Sequence, residues 1–229
     1  MTSDPMAELA ADRVSLQRTS TAERVAHILR ERITDGTLQP GSRLPEDALC
    51  SALGVSRNTL REAFRLLIHE HLVASELNRG AFVRQLSGAD VVDLYQVRQL
   101  VECAAVRAFT GAHAPDDLRH AVQEGELAAK EDRWADVATA NLRFHQAIVG
   151  LAGSRRLDEY MRQVSAELRL AFHVMQHPRT FHEPFLGRNR EILERLDAGD
   201  LTTAADLLAG YLRDAERRVV AGYEEAQTL

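Results

Sequence analysis

The chain has 229 residues, 45% of them hydrophobic and 27% charged, with a formal net charge of −6. That length suits one or two domains, each able to bury its own core, and the composition excludes a disordered or membrane-embedded chain. The acidic total also excludes a protein that carries nucleic acid over its whole surface.

The charge is uneven along the chain. From Thr21 to Leu86, nine Arg face eight Asp plus Glu, whereas the residues after Leu86 carry 17 Lys plus Arg against 23 Asp plus Glu. A polyanionic partner would therefore meet the first half, at a local patch. Nearly all positive charge is arginine, Lys130 being the one lysine. Arginine suits bidentate contacts to phosphate and guanine, although codon bias gives the same composition. Cys50 and Cys103 lie in apolar helical patterns without metal-like spacing, and are expected to be buried hydrophobes in a reducing compartment. No run approaches the ~18 apolar residues of a membrane span, and no signal-peptide core opens the chain, so a cytoplasmic protein is expected.

In chain order, residues 1–19 read as a mobile tail. Residues 20–84 read as a first domain. Ser20-Thr21-Ala22-Glu23 is a capping box, opening a helix with Val25, Ile28, Leu29 and Ile33 on one face and Gly36 as its stop. A turn over Thr37–Gly41 follows. Pro45 starts a short helix whose buried face is expected to be Ala48, Leu49, Ala52 and Leu53, ended by Gly54. Ser56 caps a third helix, about 57–71. Its inner face carries Leu60, Ala63, Phe64 and Leu67, and its outer face Arg57, Asn58, Arg61 and Arg65. Extended chain then turns at Asn78-Arg79-Gly80 and returns through residues 81–84 as a β-hairpin. Residues 85–88 form a joint. Residues 89–229 read as helices near 89–110, 115–131, 133–152, 155–177, 184–197 and 200–225. The fold class is thus mainly α: a winged helix-turn-helix, then an antiparallel helical bundle.

The first domain has little room for catalysis and suits docking on a grooved polyanion. A helix N-terminus offers backbone N–H groups and a positive dipole end. Arg57 and Arg61 near that end can hold phosphate or fork onto guanine, and Asn58 or Thr59 is placed to read a base edge. Arg79 and Gly80 form a tip for the backbone or minor groove.

The run GTLQPGSRLPEDALCSALGVSRNTLREAFRLLIHEHLV…NRGAFV resembles the winged-helix domain of GntR-type bacterial transcription regulators. Asn58-Thr59-Leu60 departs from the Thr-Pro-Val common in that family, which leaves the operator sequence open. The second half is similar to the ligand domain of the FadR branch, through Val97-Arg98, Glu102 and the tail EILERLDAGDLTTAADLL. The resemblance implies a homodimer bound to a double-stranded DNA operator, with a small effector, often a carboxylate, in the helical domain. It also implies a divalent metal held by one Asp and three His. Those positions fall here on Asn141, His145, Asn189 and Tyr211. Only the histidine remains, and neutral amides and a phenol are poor ligands, so no metal or other cofactor is expected.

Read from periodicity alone, Arg98, Asn141, His145, Asn189 and Tyr211 each lie on an inward, apolar helix face. Buried polar groups need partners, so they either satisfy one another or line a ligand pocket. His173 and His177, with His182 nearby, could form a replacement metal site but fit an exposed, frayed helix end better. The expected function is a DNA-binding regulator, a repressor, controlled by an anionic effector. The alternatives are a helical domain that only dimerises, and an enzyme using His145 as base, for which no partner nucleophile or acid is evident.

Overall fold

The structure is a computed structural model, describing residues 20–77, 79–173, 175 and 177–227. The tail expected over 1–19 and the hairpin residue Asn78 lie outside the described residues.

The chain divides into two compact units. The first runs up to Leu38 and over Ser42–Val83; the second takes in Gln39–Gly41 and everything from Arg84. In the first, α1 (Thr21–Thr34) begins at the capping box: Ser20 Oγ accepts from Glu23 N at 3.1 Å, and Glu23 Oε2 accepts from Ser20 N at 2.6 Å. Val25, Ala26, Leu29 and Ile33 are buried, and α1 packs on α3 (Arg57–His69). Arg30 grips Glu70, just past the end of α3, through two bonds of 2.7 Å. Between these helices lie β1 (Arg43–Leu44) and α2 (Glu46–Leu53). Gly54 closes α2 at φ +63, in the left-handed region open to glycine. The wing is β2 (Val73–Glu76) and β3 (Gly80–Val83), and the antiparallel sheet order is β1-β3-β2. β1 has two residues, too few for an alternating pattern to announce it, so the expected hairpin is a three-stranded sheet.

The second unit is helical: α4 (Gly88–Ala108), α5 (Asp116–Lys130), α6 (Trp134–Gly150), α7 (Arg155–Phe172), α8 (Pro178–Asp197) and α9 (Leu201–Gln227). Ser87 and Asp90 form a second capping box at α4. α4 lies along α9, where Gln99 Nε2 donates to Ala209 O at 3.3 Å and Cys103 Sγ to Ala205 O at 3.7 Å. Phe144, Ile148, Leu168, Leu196 and Leu208 are among its fully buried side chains. Among the described residues no helix is long and apolar enough to cross a membrane.

Three expectations need correction. No residue of α2 is fully buried: Leu49, Cys50 and Leu53 are half-buried and Ala48 and Ala52 exposed, because a two-turn helix touching α3 on one side cannot cover a whole face. α7 stops at Phe172 rather than 177. α8 begins at Pro178, six residues earlier than expected, so Pro184 lies inside it. Proline lacks the N–H that would bond the carbonyl four residues back. Here that carbonyl, on Thr180, receives Arg218 Nη1 at 3.5 Å instead.

Candidate nucleic-acid interface and buried polar cluster

α3 presents its N-terminus and outer face to solvent. Ser56 Oγ accepts from Thr59 N at 3.1 Å and bonds Thr59 Oγ1 at 2.9 Å. Thr59 is therefore half-buried and engaged in the cap, whereas Arg57, Asn58, Arg61 and Arg65 are exposed. Leu60, Ala63, Phe64 and Leu67 hold the opposite face in the core. Two of the arginines are presented by acids of α2: Arg57 Nη2 lies 2.8 Å from Asp47, and Arg61 Nη2 3.1 Å from Glu46. Exposed pairs of this kind are worth at most about 1 kcal/mol, so a phosphate can displace them. At the wing, Arg79 pairs with Glu76 and sits 5.4 Å over the Phe82 ring. Gly80 has φ +99, a conformation that side chains rarely adopt, and both residues are exposed.

Inside the helical unit, the five candidate residues form two joined groups. Arg98, Glu102 and His145 are 2%, 0% and 0% exposed. Arg98 Nε donates to Glu102 Oε1 at 2.7 Å, and Glu102 Oε2 lies 2.6 Å from His145 Nδ1. Burial alone would raise the Glu102 carboxyl, but Arg98 and His145 hold it below the usual carboxylate range. Burial lowers His145 despite Glu102, so the imidazole is neutral, donating through Nδ1. Arg98 also lies 4.8 Å over the Tyr95 ring. The second group centres on Asn141, whose Oδ1 accepts from Tyr211 OH at 2.7 Å and Asn189 Nδ2 at 2.9 Å. The Tyr211 and His145 rings meet edge-on at 4.9 Å, joining the groups.

Among the described residues, four buried polar atoms here have no hydrogen-bond partner: Arg98 Nη2, His145 Nε2, Asn189 Oδ1 and His182 Nδ1. A small space of about 10 Å³ lies beside Asn141, Asn189 and His182, enough for about one water. A larger open groove of about 560 Å³, lined by His120, Glu124, Arg143 and Gln146, contains none of the candidate residues.

Sequence reasoning missed two members. Glu102 follows Arg98 by one helical turn on the same inward stripe, a spacing that signals an ion pair. His182 is not part of an exposed end: it is buried between Phe172 and Phe181, and burial brings its pKa down to about 4. Its helical spacing to Phe185 and Asn189 was masked by reading residues 178–183 as a break before a helix that starts at Pro184. His173 and His177 are exposed on either side of the joint between α7 and α8, and among the described residues no three His, Cys, Asp or Glu side chains group as metal ligands.

The residues do not fit the divalent metal that the resemblance implies. Asn141 Oδ1 already accepts two hydrogen bonds, burial drives the Tyr211 phenol well above its ordinary pKa, and Glu102 occupies one nitrogen of His145. A neutral phenol and two amides offer neither anionic charge nor the usual imidazoles.

Two family models match the chain: bacterial regulatory proteins of the gntR family over residues 21–83, and the FCD domain over residues 93–214. The Nta operon transcriptional regulator of Aminobacter aminovorans is 33% identical over 156 residues, 65% of this chain and 72% of that protein. The gluconate operon transcriptional repressor of Bacillus licheniformis is 30% identical over 137 residues, 58% of this chain and 56% of that protein. Among such relatives the share of their length spanned runs from 56% to 91%. The crystal structure of a GntR regulator protein from Rhodococcus sp. RHA1 is 47% identical, with a TM-score of 0.85 over 90% of this chain and 100% of that one.

Proposed function

The chain belongs to the GntR family of bacterial regulatory proteins and is a transcriptional regulator rather than an enzyme, and we propose that it is a homodimeric repressor released or engaged by a small anionic effector. The observation that carries this is the exposed face of Arg57, Asn58, Arg61 and Arg65 at the free N-terminus of α3. Two such helices, one per protomer, dock in successive major grooves of a pseudo-palindromic operator in the cytoplasm. Arg79 and Gly80 contact the flanking backbone, Asn58 reads a base edge, and Thr59 acts mainly by holding the helix start.

The effector site is the cluster of Arg98, Asn141, His145, Asn189 and Tyr211. Glu102 takes up only Nε of Arg98, which leaves the spare Arg98 Nη2 to bond an anion while a donor such as a hydroxyl meets His145 Nε2. Small hydroxy acids and sugar acids match that pairing. No metal takes part. Effector binding changes operator affinity only as far as it prefers one geometry of the paired heads.

The small enclosed space favours one competing reading, a helical domain that only dimerises. Thermal-shift screening of the metal-stripped chain against small carboxylates, sugar acids and amino acids separates the two. Stabilisation by a ligand, lost in Arg98→Met, supports the effector site. No shift with any of them supports the dimerising reading, and about one Zn, Ni or Mn per purified chain overturns the metal-free site.

A further inference from the structure

We propose that the groove between α8 and α9 is a second small-molecule site, built for a small dianion, a phosphate monoester or a dicarboxylate. It lies outside the buried cluster and needs no ligand there. Two stripes at helical spacing form its walls: Pro184, Phe185 and Arg188 on α8, and Asp214, Arg217 and Arg218 on α9. They enclose about 510 Å³, and past Arg218 and Ala221 the groove continues into a further space of about 360 Å³. Spaces of that size hold small molecules.

The charge of the groove runs against that of its unit. The residues after Leu86 carry 17 Lys plus Arg against 23 Asp plus Glu. Here three arginines meet Asp214, and among the described residues no other acid lines this space; Glu225 stands in the adjoining one, with His177. Asp214 Oδ2 accepts from Arg188 Nη1 at 2.8 Å, and its Oδ1 accepts from Arg217. One carboxylate is thus divided between two guanidiniums. Arg218 forms no ion pair among the described residues: it lies 5.7 Å from the Phe185 ring and reaches Thr180 O at 3.5 Å through Nη1, which leaves the rest of its donor fork free. Two positive charges remain unmatched, and a dianion is their complement.

The side chains also suit the shape of such a ligand. Arg217 and Arg218 are exposed and adjacent on α9, and planar guanidinium forks match the paired oxygens of phosphate and carboxylate. The pair of Arg217 with Asp214 is exposed and therefore weak, so an entering anion displaces it. Arg188 stays, half-buried, held by Asp214 and stacked over the Phe185 and Tyr211 rings at 5.7 and 5.2 Å. Phe185, 3% exposed, supplies an apolar floor for a carbon skeleton. That floor adjoins the buried cluster, because the Phe185 and Tyr211 rings lie 4.5 Å apart and the Tyr211 hydroxyl donates to Asn141. A ligand in the groove rests on the rings that close the cluster, which links binding at the two places.

Isothermal titration of the full chain with inorganic phosphate and, separately, succinate tests the site, with ionic strength held constant by chloride. One equivalent per chain is expected to bind with a Kd at or below about 1 mM. Arg217→Ala and Arg218→Ala, both exposed and neutral to the fold by circular dichroism, are each expected to weaken it about tenfold. Arg143→Ala, an exposed arginine of α6, leaves it unchanged and so separates a local site from general charge. Asp214→Asn removes the competing carboxylate and is expected to tighten binding about threefold. Binding of phosphate alone assigns a phosphate monoester, and binding of succinate alone a dicarboxylate. A Kd above about 1 mM for both probes overturns the inference. So does an affinity unmoved by Arg217→Ala and Arg218→Ala, an equal loss in Arg143→Ala, or no tightening in Asp214→Asn.

Discussion

Replacing Glu102 tests the buried cluster at its centre. Glu102 is fully buried and accepts from Arg98 Nε at 2.7 Å while holding His145 Nδ1 at 2.6 Å. Glu102→Ala leaves the guanidinium of Arg98 enclosed without an anion and the Nδ1–H of His145 without an acceptor. Removing one partner of a buried pair costs about 3–5 kcal/mol. For a domain near this size that lowers Tm by roughly 10–15 °C. Glu102→Gln keeps the volume and a carbonyl for Arg98, and its amide can donate to His145 in the other tautomer, so about half that loss is expected. The assay is thermal unfolding followed by circular dichroism, with the helical unit read from its own transition. The acid limb supplies a second readout. The depressed Glu102 pKa contributes stability that is present above the unfolded value of about 4.3 and lost as pH falls through the folded one. Glu102→Gln therefore removes part of the acid destabilisation below about pH 4.3. A Glu102→Ala chain that melts within about 2 °C of the unaltered protein would refute the reasoning, since a charge left unpaired in the core cannot be that cheap.

Other changes probe separate parts of the structure. His182, with a pKa brought down to about 4, favours the neutral form, so its contribution holds above the unfolded value near 6.5 and fades as pH falls toward 4. His182→Leu should match the unaltered chain at pH 7 within about 1.5 kcal/mol and exceed it by up to about 3 kcal/mol near pH 4, by urea titration. Asn141→Ala strands the Tyr211 hydroxyl and the Asn189 amide and should cost about 2–4 kcal/mol in the same titration. Ser20→Ala removes the cap of α1 and should cost about 1 kcal/mol, confined to the first unit.

The two halves were legible to different degrees because their signals differ. The first unit announces itself through local chemistry: Ser20 and Ser56 cap helices, Gly54 ends one, and Leu60, Ala63, Phe64 and Leu67 keep one face inside. β1 escaped, being a partner to β3 rather than a pattern of its own, and so did the exposure of α2, which is too short to bury a whole face. In the bundle, periodicity placed Arg98, Asn141, His145, Asn189 and Tyr211 on inward faces, but not which atom meets which. Glu102 sat on the same stripe as Arg98, yet its role depends on His145 arriving from another helix, a long-range fact. His182 was hidden by a local rule, that a proline opens a helix rather than sitting inside it, which put 178–183 in a break; the Arg218 contact to Thr180 O meets the carbonyl that Pro184 leaves without its N–H.

The most direct test of the regulator reading is a fluorescence titration of the protein's own upstream DNA at moderate salt, with the unaltered chain, Arg57→Ala and Arg61→Ala. The unaltered chain should hold that DNA at least about a thousandfold more tightly than unrelated duplex, and each substitution should weaken it while flattening the salt dependence. Equal affinity for both DNAs, unmoved by either substitution, would contradict the assignment of α3 as the reading helix.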